Sequence, residues 1–150
     1  MICLKKGKIM EYNLTHFIQA QEPIYEMVIL ELQDGHKQSH WMWYIFPQFD
    51  GLGYSNRAKH YSIKSLGEAK AYLAHPILSA RLIECCELLL SIKDKMISQI
   101  LGYPDDIKLK SSMTLFNTIS NNSIFQNVLD RYFGGIEDKL TVELLKQTIL

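Results

Sequence analysis

The chain is short of most features that would fix a function outright. It carries no net charge, with 16 basic and 16 acidic residues. Broad nucleic-acid binding needs a basic excess to neutralise phosphates, so the balance argues against that class unless a basic face is segregated on the surface. The same balance argues against electrostatic docking on an anionic membrane. No apolar run approaches the roughly 20 residues that span a bilayer. The best candidate, 27–32, is interrupted by Glu31 and followed by Gln33 and Asp34. Cysteine is scarce and odd in number: Cys3, Cys85 and Cys86. Two are adjacent in an apolar run, where a bridge would strain the intervening peptide. Reduced thiols in a reducing cytoplasm are the expectation. No Cys/His spacing suggests a metal site, and no cofactor motif is present. Internal repeats, low-complexity tracts and proline- or serine-rich linkers are also missing, so one domain is the simplest organisation.

What is there suits a packed globule. The 150 residues are 47% hydrophobic and 21% charged. A chain of this length buries roughly two thirds of its unfolded surface and needs no metal or disulfide to hold it. Residues 1–9 differ from the rest. Lys5-Lys6-Gly7-Lys8 would be encoded by purine-rich codons just before Met10, as a ribosome-binding site looks when translated. The expected start is therefore Met10, with a frayed tail as the alternative. Residues 10–150 are expected to form the single domain.

Hydrophobic spacing reads as helix almost throughout. Asn13 caps a helix over 14–33, with Phe17, Tyr25, Val28, Ile29 and Leu32 on one face and a break near Glu22 imposed by Pro23. Ser65 with Glu68 is a capping box for a helix to Ala74. Pro76 opens a helix to Ser91, with Arg81 expected to pair with Glu84. Further helices are predicted over 96–101, 105–119 capped by Asp105 or Asp106, 123–133 with a Ser123/Gln126 capping box, and 138–146. Only 41–46 and 61–63 have any strand character. The prediction is an all-α or predominantly α, compact single domain of seven to eight helices.

The run Ser39-His40-Trp41-Met42-Trp43-Tyr44-Ile45-Phe46-Pro47-Gln48 is unusual in placing four aromatic rings within six residues. Further blocks follow the same pattern in order: Phe17-Ile18-Gln19-Ala20-Gln21, Gly51-Leu52-Gly53-Tyr54-Ser55, Ala71-Tyr72-Leu73-Ala74-His75-Pro76, Leu78 with Arg81-Leu82, 108–116 and 130–135. Together they resemble an uncharacterised bacterial family, domain of unknown function 1810, over about residues 12–146. Asn56 and Lys59 depart from its pattern, where smaller or more basic residues are expected. The resemblance implies no activity. Members are often called calpastatin, but such an inhibitor is a polar, largely disordered repeat array, and this chain has neither repeats nor that composition.

Candidate chemistry concentrates in three places. In the aromatic run, Trp41 and Trp43 can wall a pocket, with His40 as acid or base and Gln48 as a polar contact. The same rings also fit a core helix. Lys108, Ser111 and Ser112 fall at i, i+3 and i+4 on one helix, where a lysine beside hydroxyls suits an anion. Arg57 follows the glycine loop and can hold an anion as well. These residues suggest a small-molecule site, possibly enzymatic in the case of His40, for a flat anionic ligand such as a nucleotide or ADP-ribose-like group. The competing reading is a non-catalytic protein-interaction module using the apolar helix over 82–90 or the C-terminal helix. Oligomeric state is not legible.

Overall fold

The computed structural model describes residues 11–149, without the side chain of Ile149; the expectation concerning Met10 and the preceding residues falls outside them. Among the described residues the chain forms ten helices: α1 (Thr15–Gln21), α2 (Tyr25–Asp34), α3 (Met42–Ile45), α4 (Asn56–His60), α5 (Leu66–Ala74), α6 (Pro76–Ser91), α7 (Ile97–Leu101), α8 (Asp105–Ile119), α9 (Ile124–Phe133) and α10 (Lys139–Ile149). This exceeds the seven to eight predicted. The break expected at Pro23 makes two helices, α1 and α2, of the first predicted one, and α3 and α4 are turns too short to show a periodic stripe. Neither strand forms. In their place a single parallel bridge joins Phe49 to Ile63, with Ile63 N donating to Gln48 O at 2.8 Å and Asp50 N donating to Ile63 O at 2.9 Å. That bridge clamps the start of the 50–55 loop.

The two long helices, α6 and α8, form the frame. Both pack against α9 and α5; α6 also meets α1 and α2, while α8 also meets α7 and α10. The interior is threaded by aromatic contacts from Phe17 to Tyr72, Tyr72 to Phe116 and Phe116 to Phe125, with ring centroids 5.1, 5.4 and 5.8 Å apart. Those spacings fall in the favourable range for ring pairs. The apolar face of α6, including Leu82 and Leu89, is spent on this core, and so are the unbridged thiols of Cys85 and Cys86. The face proposed for protein contact over 82–90 is therefore buried along that line.

Local signals are kept in some places and replaced in others. Ser65 Oγ accepts from Glu68 N, while Glu68 Oε1 accepts from Lys64 N, one residue before the cap. Pro76 opens α6, with the His75 ring accepting from Ile77 N and Leu78 N. Gly35 ends α2 at φ 70, a conformation costly for any residue with a Cβ. Ser123 makes no capping bond; Asn122 Oδ1 accepts from Ile124 N instead, and Gln126 bonds Asn117 and Asp130. Pro104 occupies the cap position of α8, so Asp105 and Asp106 sit in its first turn, where acidic groups favour the helix dipole. Arg81 pairs with Glu22 at 2.9 Å and with Gln21, not with Glu84, whose carboxylate accepts from the Tyr25 hydroxyl.

No helix among the described residues is long and apolar enough to cross a membrane.

Candidate functional site

A cavity of about 420 Å³ opens where three segments meet: α3 with the following 48–58 loop, the turn that leads into α8, and the start of α10. This is within the usual size range of small-molecule pockets. Its geometry begins with α3. Each residue of an α-helix rotates the side chain by about 100°, so residues two apart face nearly opposite ways. Trp41 points inward and Trp43 points out to the cavity wall.

Trp43 carries the electrostatics. The Arg57 guanidinium lies 5.0 Å from its ring centroid and the Lys108 ammonium 5.4 Å. Both distances are within reach of the ring's negative face. Arg57 forms no ion pair among the described residues, and Lys108 is held only loosely, 3.7 Å from Asp105. The other oxygen of Asp105 takes Lys37 at 2.8 Å, which directs that carboxylate away from the cavity residue. Two cations thus lie beside one indole, and of the two Lys108 itself lines the cavity.

The loop that forms the opposite wall is tightly seated. A Cβ on Gly53 would stand 2.6 Å from Ala58 Cβ, so only glycine permits this approach of loop to α4. Ser55 Oγ accepts from Ala58 N and caps α4, which sets Arg57. The mouth is ringed by Tyr54, Tyr103, Leu140 and Ile107, which are 85, 78, 66 and 47% exposed. These exposed apolar side chains gather at one opening instead of being scattered singly over the surface.

The floor is polar. Ser111, from α8, lies within hydrogen-bond distance of Thr141, at 2.8 Å between hydroxyl oxygens. Thr141 Oγ1 donates to Asp138 Oδ2 at 2.6 Å, and Thr141 N donates to the same oxygen at 3.0 Å. Asp138 N donates in turn to Thr114 Oγ1. This network fastens the start of α10 to α8 and brings Asp138 into the cavity wall.

Of the predicted site residues, Trp43, Gln48, Lys108 and Ser111 line the cavity and Arg57 stands over Trp43. His40, Trp41 and Ser112 do not join them. His40 precedes α3, its ring is exposed, and it lines none of the cavities described here; only its carbonyl is engaged, by the Tyr44 hydroxyl. Trp41 is 1% exposed, with its indole N–H donating to Glu31 at 2.8 Å, so it is a core residue. Ser112 is fully buried on the inner side of α8, and its hydroxyl has no hydrogen-bond partner among the described residues. Sequence reasoning missed Asp138, Tyr54 and Tyr103 as cavity residues; the glycines beside both tyrosines, Gly53 and Gly102, were the available signal.

A second cavity, of about 520 Å³, lies between α1 and the 60–68 segment. His16 and His60 face each other there, with centroids 5.2 Å apart. Burial, then the neighbouring His60, push the His16 pKa down. Lys64 bonds the Ser62 hydroxyl at 2.5 Å and the Lys59 carbonyl, so its ammonium is committed. Among the described residues no three His, Cys, Asp or Glu side chains converge as a metal set.

This is a helical single-domain architecture with one aromatic, cationic cleft. Residues 11–145 match the model of a family described as protein of unknown function (DUF1810), and the chain belongs to that family. The fold is similar to the crystal structure of a conserved hypothetical protein from Mycobacterium tuberculosis, at 48% identity and a TM-score of 0.88, covering 89% of this chain and 96% of that one. No curated protein matches the chain.

Proposed function

We propose that the protein binds a small, flat, anionic ligand of the nucleotide or ADP-ribose type in the cleft beside Trp43. The observation that carries this reading is the placement of two cations, Arg57 and Lys108, over a half-exposed indole at the edge of a cavity of ligand size. An aromatic face offers stacking to a planar base, and the cations offer charge to a phosphate. The apolar ring of Tyr54, Tyr103 and Leu140 supports it, because a bound ligand would cover surface that now faces water. Unbridged Cys85 and Cys86 accord with a reducing, cytoplasmic setting for this activity.

The test is thermal stabilisation by AMP, ADP and ADP-ribose. A ligand at a hundred times its dissociation constant stabilises the native state by about 2.7 kcal/mol, which is a rise of several degrees in a domain of this size. Trp43→Ala and Lys108→Ala should each abolish most of that rise. A melting temperature unmoved by every member of the panel, or moved equally in both variants, refutes the reading.

A further inference from the structure

Hydrogen-bond directions at the cavity floor specify what the ligand must carry besides its anionic group. A threonine hydroxyl has one proton to give. Thr141 gives its proton to Asp138 Oδ2 at 2.6 Å, because an ionised carboxylate only accepts. The 2.8 Å contact between Ser111 and Thr141 must then be donated by Ser111. The Ser111 proton is thereby used, and its oxygen is left as an acceptor. That oxygen belongs to a residue 1% exposed which still lines the cavity. Asp138 shows the same polarity. Both of its local contacts fall on Oδ2, and among the described residues Oδ1 accepts nothing. At Ser111 and Asp138 the cavity thus presents acceptors, while Lys108 beside Trp43 presents a cation.

We propose that Ser111 and Asp138 form a hydroxyl-recognition subsite that accepts hydrogen bonds from a vicinal diol, such as the ribose 2′- and 3′-hydroxyls, of the anionic ligand bound beside Trp43 and Lys108. The inference rests on the ligand-binding reading above and adds a requirement to it. A phosphate alone satisfies the rim and leaves the acceptors unmet. A second phosphate seated at the floor would meet like charge from Asp138, which disfavours it. A sugar phosphate or nucleotide meets both. The relay through Thr141 keeps the Ser111 proton turned away from the ligand, so the subsite discriminates by donor count, not by shape.

The experiment compares AMP with 2′,3′-dideoxy-AMP by titration calorimetry on the intact protein and on two variants. Asp138→Asn preserves a good helix cap for α10 through its side-chain carbonyl while replacing the second acceptor by a donor. Ser111→Ala removes the other acceptor. In the native protein AMP should bind roughly tenfold or more tighter than the dideoxy compound, the usual scale for hydrogen bonds to a charged acceptor. In Asp138→Asn the preference of AMP over the dideoxy compound should shrink to about twofold or less, whatever the lost charge does to both affinities together; Ser111→Ala should narrow it partly. Equal binding of the two compounds by the native protein overturns the diol subsite while leaving the anionic site standing. A preference undiminished in both variants also overturns it. Binding of neither compound removes both proposals together.

Discussion

Two indoles two residues apart show how this short segment divides its work. Trp41 is sealed: its ring is buried, Lys37 lies 5.1 Å over it, and its N–H reaches the Glu31 carboxylate. Trp43 is open, with its ring on the cavity wall beneath two cations that have little else to bind. The same residue type serves as interior volume in one place and as cavity wall in the other. The difference comes from the turn at α3: Trp41 stands at its N-cap and Trp43 two residues on, about 200° round, so the rings face nearly opposite ways. A pocket of this kind needs its sealed partner, because the wall can hold a shape only if something rigid backs it.

The comparison breaks most visibly if both rings are truncated in turn. Trp41→Ala should cost about 3–5 kcal/mol, the range for removing a large aromatic from a packed interior. It should also leave Glu31 without one of its donors. Trp43→Ala should cost about 1 kcal/mol, from partial burial and two weak cation contacts, and take the ligand response with it. Urea unfolding monitored by circular dichroism measures both. Equal costs for the two variants would show that the sealed and open roles are not separate.

A smaller effect sharpens the sealed side. Glu31 gathers donors from Gln38 N, Ser39 N, Ser39 Oγ and Trp41 Nε1. Burial pushes its pKa up, but the hydrogen bonds from Ser39, Gln38 and Trp41 outweigh burial and leave it below the ordinary glutamate value. A depressed carboxylate stabilises the fold above its unfolded pKa, near 4.3. The contribution is lost as pH falls through the lower folded value. Glu31→Gln should therefore lower stability at neutral pH by roughly 1 kcal/mol, discounted for a partly exposed group. It should also flatten the loss of stability below about pH 4.3. Unfolding curves from pH 3 to 7 would show it; parallel curves for variant and native protein would contradict it.

Sequence legibility follows the range of the forces involved. The break at Pro23, the Ser65 cap, the Pro76 start and the glycine stop at Gly35 were readable because each is settled within a few residues. The partner of Arg81 was not, because helical arithmetic offered Glu84 while tertiary packing gave that carboxylate to Tyr25 and supplied Glu22 from the end of α1. The site shows the same split. Trp43, Gln48, Arg57, Lys108 and Ser111 could be nominated by residue type. His40 was nominated for its imidazole chemistry beside the aromatic run, yet α3 begins only at Met42, which leaves His40 exposed in the preceding turn. Asp138 belongs to the site only because hydroxyl bonds tie α10 to α8, a contact that local patterning does not encode.

The smallest predicted effect concerns a second adjacent pair, Ser111 and Ser112, which repeats the division made by the two indoles. Ser111 faces the cavity and is hydrogen-bonded to Thr141; Ser112 faces the core, and its hydroxyl finds no partner among the described residues. A buried hydroxyl without a partner carries a desolvation cost that no bond repays, on the order of 1 kcal/mol or more. Alanine at that position removes one oxygen, keeps the helical backbone and improves helix propensity slightly. Ser112→Ala should therefore be neutral to stabilising by up to about 1 kcal/mol, seen as a melting temperature unchanged or raised by a few degrees. Ser111→Ala should lower it, since Thr141 loses its donor. Should Ser112→Ala destabilise the protein instead, the hydroxyl must have a bonding role, and the inner face of α8 would no longer count as a purely apolar backing for the cavity.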